Sequence, residues 1–131
     1  MSKLTAKESS VLIAEDTQTM RYILRGMIRE YGFEEITDVI DGQQAIKQIE
    51  QNHFDLILCD WEMPNADGDE VLTFTKQSKY NNDSIFIMCT GNAKPEYVKK
   101  AISNGVSGFL AKPINQANLI KTLNQYFSTG D

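Results

Sequence analysis

Leu56-Ile57-Leu58-Cys59-Asp60 is an apolar run that stops at a carboxylate, and three other stretches of the chain repeat its form. Val11-Leu12-Ile13-Ala14 stops at Glu15-Asp16, Ile85-Phe86-Ile87-Met88-Cys89 stops at Thr90, and the shorter Phe109-Leu110-Ala111 stops at Lys112. Near-continuous apolar runs of this length read as parallel strands buried on both faces. Open parallel sheets bind ligands beyond the carboxyl ends of their strands. If the four runs are neighbours in one sheet, Glu15, Asp16, Asp60, Thr90 and Lys112 meet at one rim. The rim then carries three carboxylates, a hydroxyl and an ammonium.

Segments of helical periodicity separate the runs. Met20, Ile23, Met27 and Tyr31 recur at spacings of three and four, with Arg21, Arg25 and Arg29 on another face, so an amphipathic helix is expected there. Gly32 follows as its C-cap. Ile36 to Ile40 reads as a further strand with Asp41-Gly42 as its turn, and Ala45, Ile46 and Ile49 mark a second helix. Beyond Asp60, Pro64 and Gly68 punctuate a loop, and Val71, Leu72 and Thr75 begin a third helix. Pro95 suits the first turn of a fourth, whose inner face is Val98, Ala101 and Ile102 and whose end is Gly105. Leu119, Ile120, Leu123 and Phe127 stripe a fifth. The order is (βα)₅, an α/β doubly wound sandwich with a five-stranded parallel sheet and right-handed crossovers.

At 131 residues the chain has the length of one domain, with a core from about residue 10 to 127 between short polar tails. Its net charge of −5 and lack of a Lys/Arg cluster argue against nucleic acid as a partner. No run is long enough to span a membrane, and the polar start, Met1 to Ser9, has no apolar leader. A cytoplasmic, monomeric protein is the expectation. Cys59 and Cys89 read as buried thiols of a reducing compartment rather than a redox pair. His53, the only histidine, reads as a solvated loop residue with no partner at ligand spacing.

Carboxylates at one rim repel. At an effective dielectric near 20, each pair about 4 Å apart costs roughly 4 kcal/mol. Glu15, Asp16 and Asp60 therefore need a cation or a raised pKa, and Mg²⁺ (or Mn²⁺) suits an all-oxygen donor set. In such a site Asp60 is the expected nucleophile, forming an aspartyl phosphate. Lys112 would neutralise the incoming phosphoryl charge and Thr90 would donate its hydroxyl to a phosphoryl oxygen. Taken singly, Asp16 could be only a helix N-cap, Thr90 a strand end and Lys112 an exposed turn residue. All the strand ends together, in the right chemical types, favour the phosphoryl reading.

These residues carry a resemblance. The chain is similar, from about Val11 to Phe127, to the receiver domains of two-component response regulators, and most of all to their stand-alone chemotaxis branch. The motif residues are Glu15-Asp16, Asp60 to Gly68 with Met63-Pro64 and Asp67-Gly68, Thr90, and Phe109 to Pro113. Thr17 to Arg21 and Trp61 narrow it toward chemotaxis. The resemblance implies a flavodoxin-like fold with strand order 2-1-3-4-5 and a phosphoprotein with Asp60 as phosphoacceptor. Glu15, Asp16, Asp60 and the backbone carbonyl of Glu62 would hold Mg²⁺. Thr90 and Lys112 would bind the phosphoryl group, and the Lys112–Pro113 peptide would be cis. Thr90 and Phe109 would form the switch, moving a face that includes Lys94, Tyr97, Phe109 and Lys121.

The implied role is signal transduction, not enzymatic turnover of a free substrate, although the domain would assist its own phosphorylation and dephosphorylation. The implied partners are a sensor histidine kinase as donor and an output protein such as the flagellar motor switch. A phosphorelay shuttle and a receiver domain of a larger regulator are alternatives. Four residues depart from the chemotaxis pattern: Glu15 stands for the common Asp, Glu62 for Asn, Gly91 for a small side chain, and Phe109 for Tyr. A haloacid-dehalogenase-like phosphohydrolase also uses an aspartyl nucleophile, but that family places it on the first strand, not the third. A flavodoxin would need a phosphate loop where Glu15-Asp16-Thr17-Gln18 stands, and those acids repel a flavin phosphate.

Overall fold

The computed structural model describes residues 3–92 and 94–130. A short strand β1 (Leu4–Thr5) and a 3-10 turn (Ala6–Glu8) lead into β2 (Ser10–Ala14), α1 (Gln18–Tyr31), β3 (Glu35–Val39) and α2 (Gly42–Gln51). There follow β4 (Leu56–Asp60), α3 (Gly68–Gln77), β5 (Ile85–Thr90), α4 (Pro95–Ser103), β6 (Gly108–Ala111), α5 (Gln116–Leu123) and β7 (Phe127–Ser128). The main sheet is parallel and five-stranded, ordered β3-β2-β4-β5-β6. Numbered within that sheet, this is the expected 2-1-3-4-5.

Alternation along each strand divides the core into two layers. Val11, Ile13, Leu58, Ile87 and Cys89 pack with Leu24 and Ile28 of α1 and with Leu119 and Leu123 of α5. Leu12, Ala14, Ile57, Cys59, Phe86 and Met88 pack on the other side with Ala45, Ile49, Val71, Leu72 and Ala101 of α2, α3 and α4. Burial on both faces explains the uninterrupted apolar runs. Because β2 has β3 on one side and β4 on the other, the crossovers diverge there. That divergence opens a crevice above the carboxyl ends of β2 and β4, where Glu15 and Asp60 lie.

Several expected details are corrected. The buried face of α1 is Leu24, Ile28 and Tyr31, while Ile23 is 40% exposed. In α4 Ala101 is the buried residue, and Ile102 is 64% exposed. Phe127 does not extend the fifth helix. The helix ends at Leu123, and Phe127 lies in β7, paired in parallel with Leu4 of β1 and set edge-on to Phe33 at 5.1 Å. The stretches assigned to polar tails thus contribute a second, two-stranded sheet. Asp41-Gly42 is a helix start rather than a turn: Asp41 caps α2 by accepting from the Gln44 N–H at 2.8 Å.

Candidate functional site

Glu15 directly follows β2 and continues its ladder, donating its N–H to the Val39 carbonyl at 3.2 Å. Its side chain is 1% exposed. Oε2 accepts from the Thr17 N–H at 3.0 Å, and Oε1 lies 2.5 Å from the Lys112 ammonium. Asp16 is exposed, and the α1 cap is Thr17, not Asp16. Arg21, in the first turn of α1, donates to the carbonyls of Glu15 at 2.9 Å and Asp16 at 3.2 Å, fixing the turn that presents both acids.

Asp60 ends β4 and is 6% exposed. Its Oδ2 lies 3.2 Å from Lys112 Nζ, and Oδ1 accepts a long hydrogen bond, 3.4 Å, from the Glu62 N–H. Glycine is required at position 68. A Cβ there would stand 2.6 Å from the Asp60 carbonyl oxygen and 2.7 Å from Met88 Sδ, so the start of α3 can press against the end of β4 only without a side chain. Gly42 plays the same part for the loop after Asp60, since a Cβ would fall 1.9 Å from the Ala66 carbonyl oxygen.

Thr90 closes β5 and is 1% exposed. Its hydroxyl accepts from the Asn92 N–H at 3.0 Å, and its carbonyl accepts from the Lys112 N–H at 2.8 Å, which fastens the end of β6 beside it. The Lys112–Pro113 peptide is cis, as expected. Trp61 is pinned through its backbone to Cys89 and Gly68, at 2.9 and 2.7 Å. Its ring meets Tyr97 of α4 at 5.3 Å and Phe109 of β6 at 6.4 Å. An open cavity of about 630 Å³ lies over the rim, lined by Asp16, Trp61, Glu62, Met63, Pro64, Asp67, Asn92 and Tyr97. An adjoining one is lined by Asp60, Glu62, Gly91, Asn92 and Lys112.

One carboxylate oxygen each from Glu15, Asp16 and Asp60 lies within 4.8 Å of the others. Burial, then the Glu15 charge, pushes the Asp60 carboxyl up to about 6, against the opposing pull of Lys112. Burial works to lower the Lys112 pKa, but its hydrogen bond to Glu15 and the charges of Asp60 and Glu15 outweigh that, and the ammonium is held above its usual range. Lys112 is therefore the built-in counter-charge of this rim. The donor set, three carboxylates in an open crevice, fits a small hard dication that keeps part of its water.

The structure thus brings Glu15, Asp16, Asp60, Thr90 and Lys112 to one rim. Phe109 is half-buried one strand away, and Glu62 is exposed at the mouth. Cys59 and Cys89 are free, buried and on opposite layers of the core. Burial pushes the Cys89 thiol up to about 12 and Cys59 well above its usual value, so both are inert. Sequence reasoning missed Arg21 as the brace of the acidic turn and Asn92 as the partner of Thr90. The arginine spacing showed a helix face but not its carbonyl contacts, and the Asn92 contact is made by backbone, which side-chain identity does not signal.

The family model for the response regulator receiver domain matches residues 11–124. A Vibrio cholerae chemotaxis protein, CheY-3, is 30% identical over 97% of this chain and 98% of its own length. Among solved structures, the receiver domain of a Pseudomonas aeruginosa sensor histidine kinase, which has magnesium coordinated in its active site cleft, matches with TM-score 0.81 and 27% identity. That match covers 90% of this chain and 96% of the other. The Vibrio cholerae chemotaxis protein CheY4 matches with TM-score 0.82 and 26% identity over 90% of this chain and 98% of its own. Matched over most of its length, the chain belongs to the family of response regulator receiver domains.

Proposed function

We propose that Asp60 accepts a phosphoryl group from the phosphohistidine of a sensor kinase, and that the modification switches a protein-binding face. The observation that carries this reading is the position of Asp60: a nearly buried carboxylate at the end of β4, 3.2 Å from the Lys112 ammonium and beside Glu15 and Asp16. In the transfer, a carboxylate oxygen of Asp60 attacks phosphorus, the phosphorus–nitrogen bond of the donor breaks, and the imidazole leaves. Lys112 follows the charge from the carboxylate to the phosphoryl oxygens. The Thr90 hydroxyl, now accepting from the Asn92 N–H, turns to donate to the same group.

Glu15, Asp16, Asp60 and the Glu62 carbonyl would hold Mg²⁺ or Mn²⁺, which supplies neutralisation of the transferring phosphoryl charge. Because the Thr90 carbonyl holds the Lys112 N–H and Trp61 touches both Tyr97 and Phe109, a shift at Thr90 has a short route to α4 and β6. We assign the switched face to α4, β6 and α5, around Lys94, Tyr97, Phe109 and Lys121. Residues 1–131 are read as a single receiver domain, monomeric and cytoplasmic, that turns over no free substrate. Among the described residues no helix is long and apolar enough to cross a membrane.

Likeness to chemotaxis proteins over nearly their whole length supports control of a flagellar motor switch as the output. Likeness to a receiver carried by a sensor kinase supports, as a second reading, a receiver or relay step of a larger system. Chemical shifts of the beryllofluoride adduct test the switch. Changes should run from Asp60 through Thr90 to Phe109 and α4. If they stay within the loops around Asp60, the domain takes up phosphate without transmitting it.

A further inference from the structure

At the end of the sheet opposite the phosphoryl site, both ring nitrogens of His53 face oxygen acceptors. Nδ1 lies 2.7 Å from the Tyr80 carbonyl oxygen and Nε2 lies 3.1 Å from Asp55 Oδ1. A neutral imidazole has one N–H, so it can satisfy one of these acceptors and must turn a lone pair toward the other. Only the imidazolium donates to both. Asp55 is itself held in place: its Oδ2 accepts from the Ser10 N–H at 2.9 Å, and its N–H donates to the Ser10 carbonyl at 2.9 Å. The carboxylate aimed at His53 is thus anchored to Ser10 at the start of β2.

The carbonyl on the other side belongs to the loop between α3 and β5. One residue further on, the fully buried Asn81 ties that loop permanently to the rest of the fold. It donates to the Ile49 and Asn52 carbonyls at 2.8 and 2.6 Å and accepts from the Phe54 N–H at 2.7 Å. The two ties differ in kind. An amide does not titrate, whereas His53 does, and its side chain is 55% exposed to solvent protons.

We propose that His53 is a proton-operated clasp, whose imidazolium bridges the Tyr80 carbonyl of the α3–β5 loop to Asp55 just before β4 and whose deprotonation breaks that bridge and loosens the loop around Tyr80. Of the charged groups around it, Asp55 favours the imidazolium and the Lys79 ammonium is of the opposing sign. Asp55 is the carboxylate facing the ring, Ser10 of β2 brings no charge, and the nearby Lys79 ammonium sits over the Tyr80 ring, 5.5 Å from its centre. The Tyr80 carbonyl holds the His53 pKa above its usual value, burial opposes it, and Asp55 adds to the rise. A raised folded-state pKa means the clasp is fully present below the unfolded value of 6.5 and is lost as pH rises through the folded value.

The test uses the full chain. His53 is the only histidine, so one imidazole is followed by NMR titration, and hydrogen exchange of the amides in 79–84 is compared between the wild type and His53→Ala. The excess protection of the wild type over the variant should fall about three- to tenfold between pH 5.5 and 8.5, the worth of one hydrogen bond. Asp55→Asn should lower the imidazole midpoint. A protection ratio that does not change with pH, or a midpoint that is unchanged in Asp55→Asn, overturns the proposal.

Discussion

The Lys112 ammonium lies 3.2 Å from Asp60 and 2.5 Å from Glu15, so a single ammonium is shared between a buried acid and the proposed phosphoacceptor. With Glu15 only 1% exposed, this pairing is structural as well as chemical. Breaking a buried pair from one side leaves a charge without compensation, at a cost of roughly 3 kcal/mol or more. Lys112→Met should therefore destabilise the metal-free protein by about that amount, and Mg²⁺ should recover part of the loss. Thermal unfolding with and without Mg²⁺ checks both halves.

Asp60 makes the opposite contribution. Its carboxyl is raised from 3.8 to about 6, so in the absence of metal the folded state prefers it protonated. The stability tied to it is present below pH 3.8 and is lost as pH rises through about 6. The full loss is about 3 kcal/mol at most. Asp60→Asn should then be more stable than the wild type at pH 7, with the difference shrinking toward pH 4. Urea unfolding across this range measures it.

The glycine after Asp67 is a packing requirement of the site. With a Cβ 2.6 Å from the Asp60 carbonyl and 2.7 Å from Met88 Sδ, Gly68→Ala must push α3 away from β4. We expect a loss of about 2–4 kcal/mol from overpacking and backbone shift. Because Asp60 moves with β4, phosphorylation should slow as well. Denaturant unfolding and labelling rates should change together.

Asn81 offers a test remote from the site. It is fully buried and serves the Ile49 and Asn52 carbonyls, the Phe54 N–H and the Ser84 hydroxyl. Asn81→Ala leaves the two carbonyls and the Phe54 N–H without these partners, at about 1–3 kcal/mol each where water cannot reach, while the Ser84 hydroxyl keeps the Phe54 carbonyl. A loss of about 3–5 kcal/mol is expected, with acceptance of phosphate by the remaining folded protein unaffected.

How far the sequence foretold this molecule can be judged residue by residue. The strands of the sheet were legible because burial on both faces leaves no polar position in Leu56 to Cys59 or Ile85 to Cys89. The rim followed, since parallel strands end on one side. The inner face of α1 was not legible in the same way. Its apolar residues cover a broad arc, and only contact with β2 and α5 selects Leu24 and Ile28 over Ile23. Phe127 fits a helical spacing from Leu123, yet the pairing of β7 with β1 and the packing on Phe33 determine its conformation. Ligand spacing does not reveal the bridging role of His53, because the Tyr80 carbonyl is brought to it only by the turn after α3. Gly42 looked like a turn residue, since its close approach to Ala66 joins loops far apart in sequence.

The central claim is that Asp60 is the phosphoacceptor. Intact-protein mass spectrometry after incubation with acetyl phosphate and Mg²⁺ tests it most directly. The account predicts the mass of one phosphoryl group on the wild type, absent when the metal is chelated and absent in Asp60→Asn. Full labelling of the Asp60→Asn variant under the same conditions would contradict it.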